Sequence, residues 1–207
     1  KPCPWKTGQG CEALTDRRVH VWRADLESAA QHLRQLAPLL DEDEKARAAK
    51  FHLDKHRLPY VLSHAILRDV LARYLGAQPA ALRFGSGPHG KPELSRANAS
   101  PDLIFNMTHS ETLALYAVAL AADVGIDVEF LRGDMDFDSI SERFFSEREA
   151  VEIRDTRGSD KTTRFFNCWT RKEAYIKALG VGVSLPLDSF SVSTAPLRHG
   201  EAVTLCP

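Results

Sequence analysis

Val124, Ile126, Val128 and Phe130 alternate with Gly125, Asp127 and Glu129, a period of two that only an extended backbone can use. Such a segment turns apolar groups to one face and both acids to the other, so it must lie against a core as a strand. Elsewhere the period is helical. Leu67, Val70, Leu71 and Tyr74 lead to Gly76 in a helix expected to start near Pro59, and Phe165, Trp169, Ile176 and Leu179 lead to Gly180. In both, glycine supplies the residue that follows the last turn. A chain with both periods in succession is α+β.

The remaining segments fill in that order. Val19 to Trp22 reads as an opening strand, Leu26 to Leu36 as one amphipathic helix, and Asp41 to Glu44 as the acidic start of a helix through Lys45, Arg47 and Lys50, since negative charge complements a helix amino terminus. Phe84 to Ser100 is rich in Gly, Pro and Ser and is expected to be a loop. Phe105 to His109 and Leu115 to Ala121 are strand-like, and the second is expected to pair with the 124–130 segment through a turn near Ala122 and Asp123. Ser146 and Glu149 form a capping-box pattern.

With 207 residues and 43% apolar content the chain can bury one substantial core or two small ones. A net charge of −1 produces no field toward nucleic acid or acidic membranes, so those partners are disfavoured. No apolar run is long enough to span a bilayer and no signal peptide is recognisable, so the chain is expected to be cytoplasmic. Cys3, Cys11, Cys168 and Cys206 have neither the spacing of a zinc site nor the density of a disulfide framework.

Two carboxylates two residues apart on one strand face, Asp127 and Glu129, resist joint ionisation unless a cation or donors compensate them, which fits a hard divalent ion. Glu173 and Lys177 stand one helical turn apart, so a third acid and a cation share a face. Lys172 and Glu173 also interrupt the apolar stripe joining Trp169 to Ile176, which favours a site there. Taken singly, each pair is commonplace: an exposed i, i+4 Glu and Lys contribute only about 0.2–0.5 kcal/mol.

These segments, with His89-Gly90-Lys91-Pro92, Phe105-Asn106-Met107-Thr108-His109-Ser110, Arg143-Phe144-Phe145-Ser146 and Ser184-Leu185-Pro186-Leu187-Asp188-Ser189-Phe190, resemble the Sfp-type 4′-phosphopantetheinyl transferases from about residue 44 to residue 193. The resemblance implies two similar α/β halves related by a pseudo-twofold, with the active site in the cleft between them. The amino-terminal half would run over 16–122 and the carboxy-terminal half over 123–207, leaving 1–15 unassigned. In the family further strands follow the region of Ser191 to Ser193, whereas this chain stops at Pro207.

The same resemblance implies transfer of the phosphopantetheine arm of coenzyme A to a serine of an acyl, peptidyl or aryl carrier protein, with release of adenosine 3′,5′-bisphosphate. Magnesium would be held by Asp127, Glu129 and Glu173. Lys177 would meet the pyrophosphate, Thr108 and His109 the phosphates, and Gly90, Lys91 and Pro92 the adenine. The ribose 3′-phosphate would draw on Lys45, Arg47, Lys50 or Arg57, in a pairing the spacing leaves open. Glu173, or water beside a neighbouring carboxylate, would take the serine proton. A monomer is expected, with Arg143, Arg148, Arg164 and Arg171 as candidate guides for an acidic carrier. A nucleotide phosphohydrolase using the same acids, and a non-catalytic binding module, are the competing classes.

Overall fold

The computed structural model describes residues 13–16, 18–95 and 102–197. Three antiparallel strands form the main sheet, in the order β1 (His20–Asp25), β5 (Leu113–Leu120), β4 (Leu103–Ser110). Trp22 lies opposite Tyr116, and Thr108 opposite Leu115. The pleat gives β4 two different faces. Leu103 and Phe105 join Tyr116, Val118, Leu62, Leu67 and Leu71 in the first core, beneath helix α4 (Asp54–Leu75). The opposite face carries Ile104, which packs with Ala117, Ala119, Val124 and Ile126, and then Asn106, Thr108 and Ser110.

The 124–130 segment is therefore not the expected strand. Residues 123–130 have no regular secondary structure, and β5 pairs with β1 and β4 rather than with them. The physical reason is placement: Val124 and Ile126 lie across the sheet face, where backbone ladders cannot reach. The expected single helix over 26–36 is also broken, into α1 (Leu26–Ala30) and α2 (Leu33–Leu36). His32 N–H bonds Ala29 O at i−3, which turns the chain. Helix α4 begins five residues before Pro59 and keeps that proline inside it, at the cost of one backbone donor. The expected 84–100 loop contains a hairpin, β2 (Phe84–Ser86) and β3 (Pro92–Leu94), turned at Gly90 with φ +82°; 96–100 lie outside the described residues.

Helix α3 (Glu42–Ala49) starts as expected: Asp41 accepts from Glu44 N–H and Glu44 accepts from Asp41 N–H. The same two acids hold Arg68 of α4, which is fully buried and also donates to Pro79 O and Leu82 O. A buried guanidinium needs such partners, and they lock α3 onto α4.

After residue 130 the described chain is mainly helical: α5 (Phe137–Phe144), α6 (Glu147–Arg154) and α7 (Ser159–Leu179). Phe137, Phe145, Ile153, Phe165, Phe166, Ile176, Phe190 and Val192 form the second core. Inside it Lys172 and Glu149, both fully buried, lie 2.8 Å apart. Lys172 also donates to Leu187 O and Phe190 O, each at 2.6 Å, and Glu149 accepts from Val192 N–H. Lys172 thus interrupts the apolar stripe as part of a buried ion pair in the second core, whereas its neighbour Glu173 lines a hollow. Among the described residues no helix is long and apolar enough to cross a membrane.

Candidate functional site

The site lies where the 124–130 segment is pressed between β4 and α7. Gly125 allows the contact: a Cβ there would lie 1.9 Å from Ala174 O and 2.4 Å from Ala178 N, closer than any side chain tolerates. The close approach brings Asp127 beside α7. Lys177 Nζ donates to Asp127 Oδ1 at 2.5 Å, and Thr108 Oγ1 donates to the same oxygen at 3.2 Å. The Asp127 side chain is 4% exposed and its Oδ2 is buried without a partner.

Glu173 stands one turn before Lys177 on α7 and is half-buried. Burial raises its pKa, Lys177 opposes that rise, and Asp127 and Glu129 add to it by repulsion. Glu129 is raised likewise, by burial and by Asp127, against Ser110, Lys177 and Arg132. The three acids therefore share one electrostatic field. Among the described residues no three His, Cys, Asp or Glu side chains are gathered into a ready metal-binding set. Their chemistry nevertheless suits a hard cation, because the orphaned Asp127 oxygen is a buried acceptor lacking a positive partner, and oxygen-rich acidic sets select magnesium-like ions.

Two hollows meet here. One, of about 300 Å³, is lined by Glu173, Lys177, Gly90, Pro92, Asn106 and Met107. The other, a cleft of about 1100 Å³, shares Gly90, Pro92, Asn106 and Met107 and extends past Thr108 and His109 to Arg47, Lys55, His56, Tyr60 and His64. His109 follows Thr108 in the cleft, where desolvation of its ring and then the Lys177 charge lower its pKa.

The predicted residues divide. Asp127, Lys177 and Thr108 are in direct contact, with Glu173 and Glu129 in the same field. Of the four candidate 3′-phosphate cations, Arg47 lines the large cleft. Lys45 and Arg57 instead flank a separate groove beside Leu33 and Leu40, paired with Glu42 and Asp54; Lys50 is exposed and lines neither. Lys91 lines the smaller hollow, with its ammonium bound to Val124 O at 3.2 Å and Ala178 O at 2.9 Å. Sequence reading missed Lys55, His56, Tyr60 and His64, whose one signal is their position 5–14 residues after the basic run. Three of the four arginines proposed as docking guides are committed elsewhere: Arg171 donates to Ser193 O and Ala195 O, Arg164 to Thr194 Oγ1 and Arg148 to Val192 O.

Comparison with known proteins covers most of the chain. A family described as the 4′-phosphopantetheinyl transferase superfamily matches residues 123–206, and one described as 4′-phosphopantetheinyl transferase, N-terminal, matches residues 23–123. The chain is 39% identical over 191 residues to the 4′-phosphopantetheinyl transferase HetI of Nostoc sp., covering 92% of this chain and 80% of HetI. It is 36% identical over 167 residues to a 4′-phosphopantetheinyl transferase of Bacillus subtilis, covering 80% and 70% of the two chains. With the 4′-phosphopantetheinyl transferase Sfp of Bacillus subtilis it shares 33% identity over 152 residues, spanning 73% of this chain and 64% of Sfp.

Proposed function

The chain belongs to the 4′-phosphopantetheinyl transferase family, and from that premise we propose that it transfers the 4′-phosphopantetheine arm of coenzyme A to a serine hydroxyl of a carrier protein, releasing adenosine 3′,5′-bisphosphate. The observation that carries this reading is the meeting of Asp127, Lys177 and Thr108 beside Glu173 at the junction of the two hollows. An acid set, a cation and a hydroxyl converge there at the mouth of a cleft large enough for a nucleotide.

In this reading coenzyme A lies along the large cleft. Arg47 and Lys55 supply positive charge for its ribose 3′-phosphate, and the Gly90 turn with Pro92 lies against the adenine. Thr108 and His109 face its phosphates, and the serine oxygen approaches the β-phosphorus from the Glu173 side. Glu173 suits the role of proton acceptor because its surroundings raise its proton affinity. Lys177 stabilises negative charge gathering on the departing bisphosphate. Asp127, Glu129 and Glu173 are the residues that would hold magnesium, which when bound supplies charge neutralisation on the pyrophosphate.

The same reading sets the active site between halves 16–122 and 123–207, related by a pseudo-twofold, in a monomer that needs magnesium. Its support is that α7, the 124–130 segment and β4 all contribute to one site. The carrier is placed on the apolar groove of about 310 Å³ next to Glu129, rimmed by Phe130, Met135, Ile140 and Phe144, rather than on the arginines engaged with residues 192–195.

The test is intact-mass analysis of an apo carrier protein incubated with the chain, coenzyme A and magnesium. A phosphopantetheine mass gain on the carrier, absent from its serine-to-alanine form, is expected. No gain across acyl, peptidyl and aryl carriers with the chain folded overturns the transferase reading. Phosphate release without a carrier would identify a phosphohydrolase, and coenzyme A binding without transfer a binding module.

A further inference from the structure

We propose that Asn106 and Ser110 are positioning residues that hold Asp127 and Glu129 in place from the face of β4, through hydrogen bonds that substitute for a missing backbone ladder. The inference rests on the reading of the three acids as cation ligands and deepens it.

The argument begins from a backbone requirement. Ile126 packs with Ile104, Ala117 and Ala119, so its partly buried N–H lies off the ladders of the sheet; an N–H withdrawn from water needs a partner. Asn106, 7% exposed, supplies one: its Oδ1 accepts from Ile126 N–H at 2.9 Å. Four residues on, Phe130 N–H donates to Ser110 Oγ at 3.0 Å, and Ser110 Oγ reaches Glu129 Oε2 at 3.4 Å.

Between these anchors Thr108 donates to Asp127 Oδ1. The alternate residues 106, 108 and 110 share one face of the strand, so their spacing sets the spacing of the chain lying over them. Ile126 and Phe130 bracket the two acids, so each acid has a fixed backbone within one residue. Asn106 orients Asp127 through Ile126, and Ser110 orients Glu129 directly and through Phe130. Outer partners of this kind ordinarily change metal affinity about 10–100-fold when removed.

The test uses the full chain and Mn²⁺ alone, with bound Mn²⁺ read by electron paramagnetic resonance and amide exchange read at Ile126 and Phe130. Asn106→Ala is expected to speed exchange at Ile126 and weaken Mn²⁺ binding about tenfold or more, while Asn106→Asp, which keeps the acceptor oxygen, restores slow exchange at Ile126. Ser110→Ala is expected to act in the same direction at Phe130 with a smaller loss, roughly threefold, and it provides the readout should Asn106→Ala fail to fold. Faster exchange with Mn²⁺ binding unchanged overturns the inference and leaves Asn106 and Ser110 structural. Asp127→Ala separates the two levels. If it abolishes Mn²⁺ binding while Asn106→Ala and Ser110→Ala do not weaken it, the positioning inference fails alone; if Asp127→Ala, or the wild type itself, shows no dependence of Mn²⁺ binding on the acids, the cation reading fails and takes the inference with it.

Discussion

Lys177 and Asp127 meet at 2.5 Å, and each has a distinct expected phenotype. Lys177→Ala should lower kcat about 10²–10³-fold, the scale of one charge-stabilising donor; a rise confined to the KM for coenzyme A would make Lys177 a ground-state contact instead. His64 gives a second prediction at this scale. Its Nδ1 lies 2.9 Å from Tyr60 O and its ring 3.9 Å from the Tyr60 ring, and burial lowers its pKa from 6.5 to about 4. Between those values the unfolded chain binds more protons than the folded one, so stability is present above pH 6.5 and is lost as pH falls toward 4. The full loss is on the order of 3 kcal/mol. Urea midpoints at pH 7 and pH 4.5 should diverge in the wild type and converge in His64→Gln; equal slopes in the two proteins would remove His64 as the cause.

At the scale of elements, α7 carries two kinds of charge that its sequence does not distinguish. Lys172 and Glu173 are neighbours, yet one is sealed in a buried pair and the other lines a hollow. Lys172→Met leaves Glu149 buried and unpaired and should cost about 3–5 kcal/mol, whereas adding Glu149→Leu should recover much of it; denaturation midpoints of the single and double variants decide. The contact between α7 and the 124–130 segment makes a second prediction. Gly125→Ala puts a methyl against rigid helix backbone, so it should destabilise by about 1–3 kcal/mol or more and reduce transfer by moving Asp127 from Lys177. Gly133→Ala meets nothing within 4 Å and serves as the control in the same thermal melts and turnover assays.

Among the described residues, Lys91 is one of the polar ties that join the first core to the helical second core. It links the β2–β3 hairpin to Val124 O and Ala178 O, while Gly180, φ +65°, lets its chain approach: a Cβ there would stand 3.3 Å from Lys91 Cδ. Lys91→Met orphans two carbonyls and should cost about 1–3 kcal/mol. It should also raise the KM for coenzyme A more than that for the carrier, because the hairpin carrying Gly90 and Pro92 loses its anchor. An unchanged KM for coenzyme A would confine Lys91 to stability.

The helical period of 3.6, the glycine ends at Gly76 and Gly180, and the caps at Asp41 and Ser146 are local properties, set by which backbone conformations those residues allow and which donors they satisfy, whereas the period of two over 124–130 was overridden by packing. The sequence by itself therefore determined the α+β class, both long helices, the strands β1, β4 and β5 and, through its motifs, the family. Tertiary structure alone decided which charges serve the site. Asp127 lies at Lys177 because Gly125 lets two backbones touch, Lys172 is withdrawn because Glu149 arrives from another helix, and Lys45 and Arg57 turn from the cleft that Arg47 lines. Each of those outcomes depends on groups far apart in the chain, whose distance no local pattern encodes.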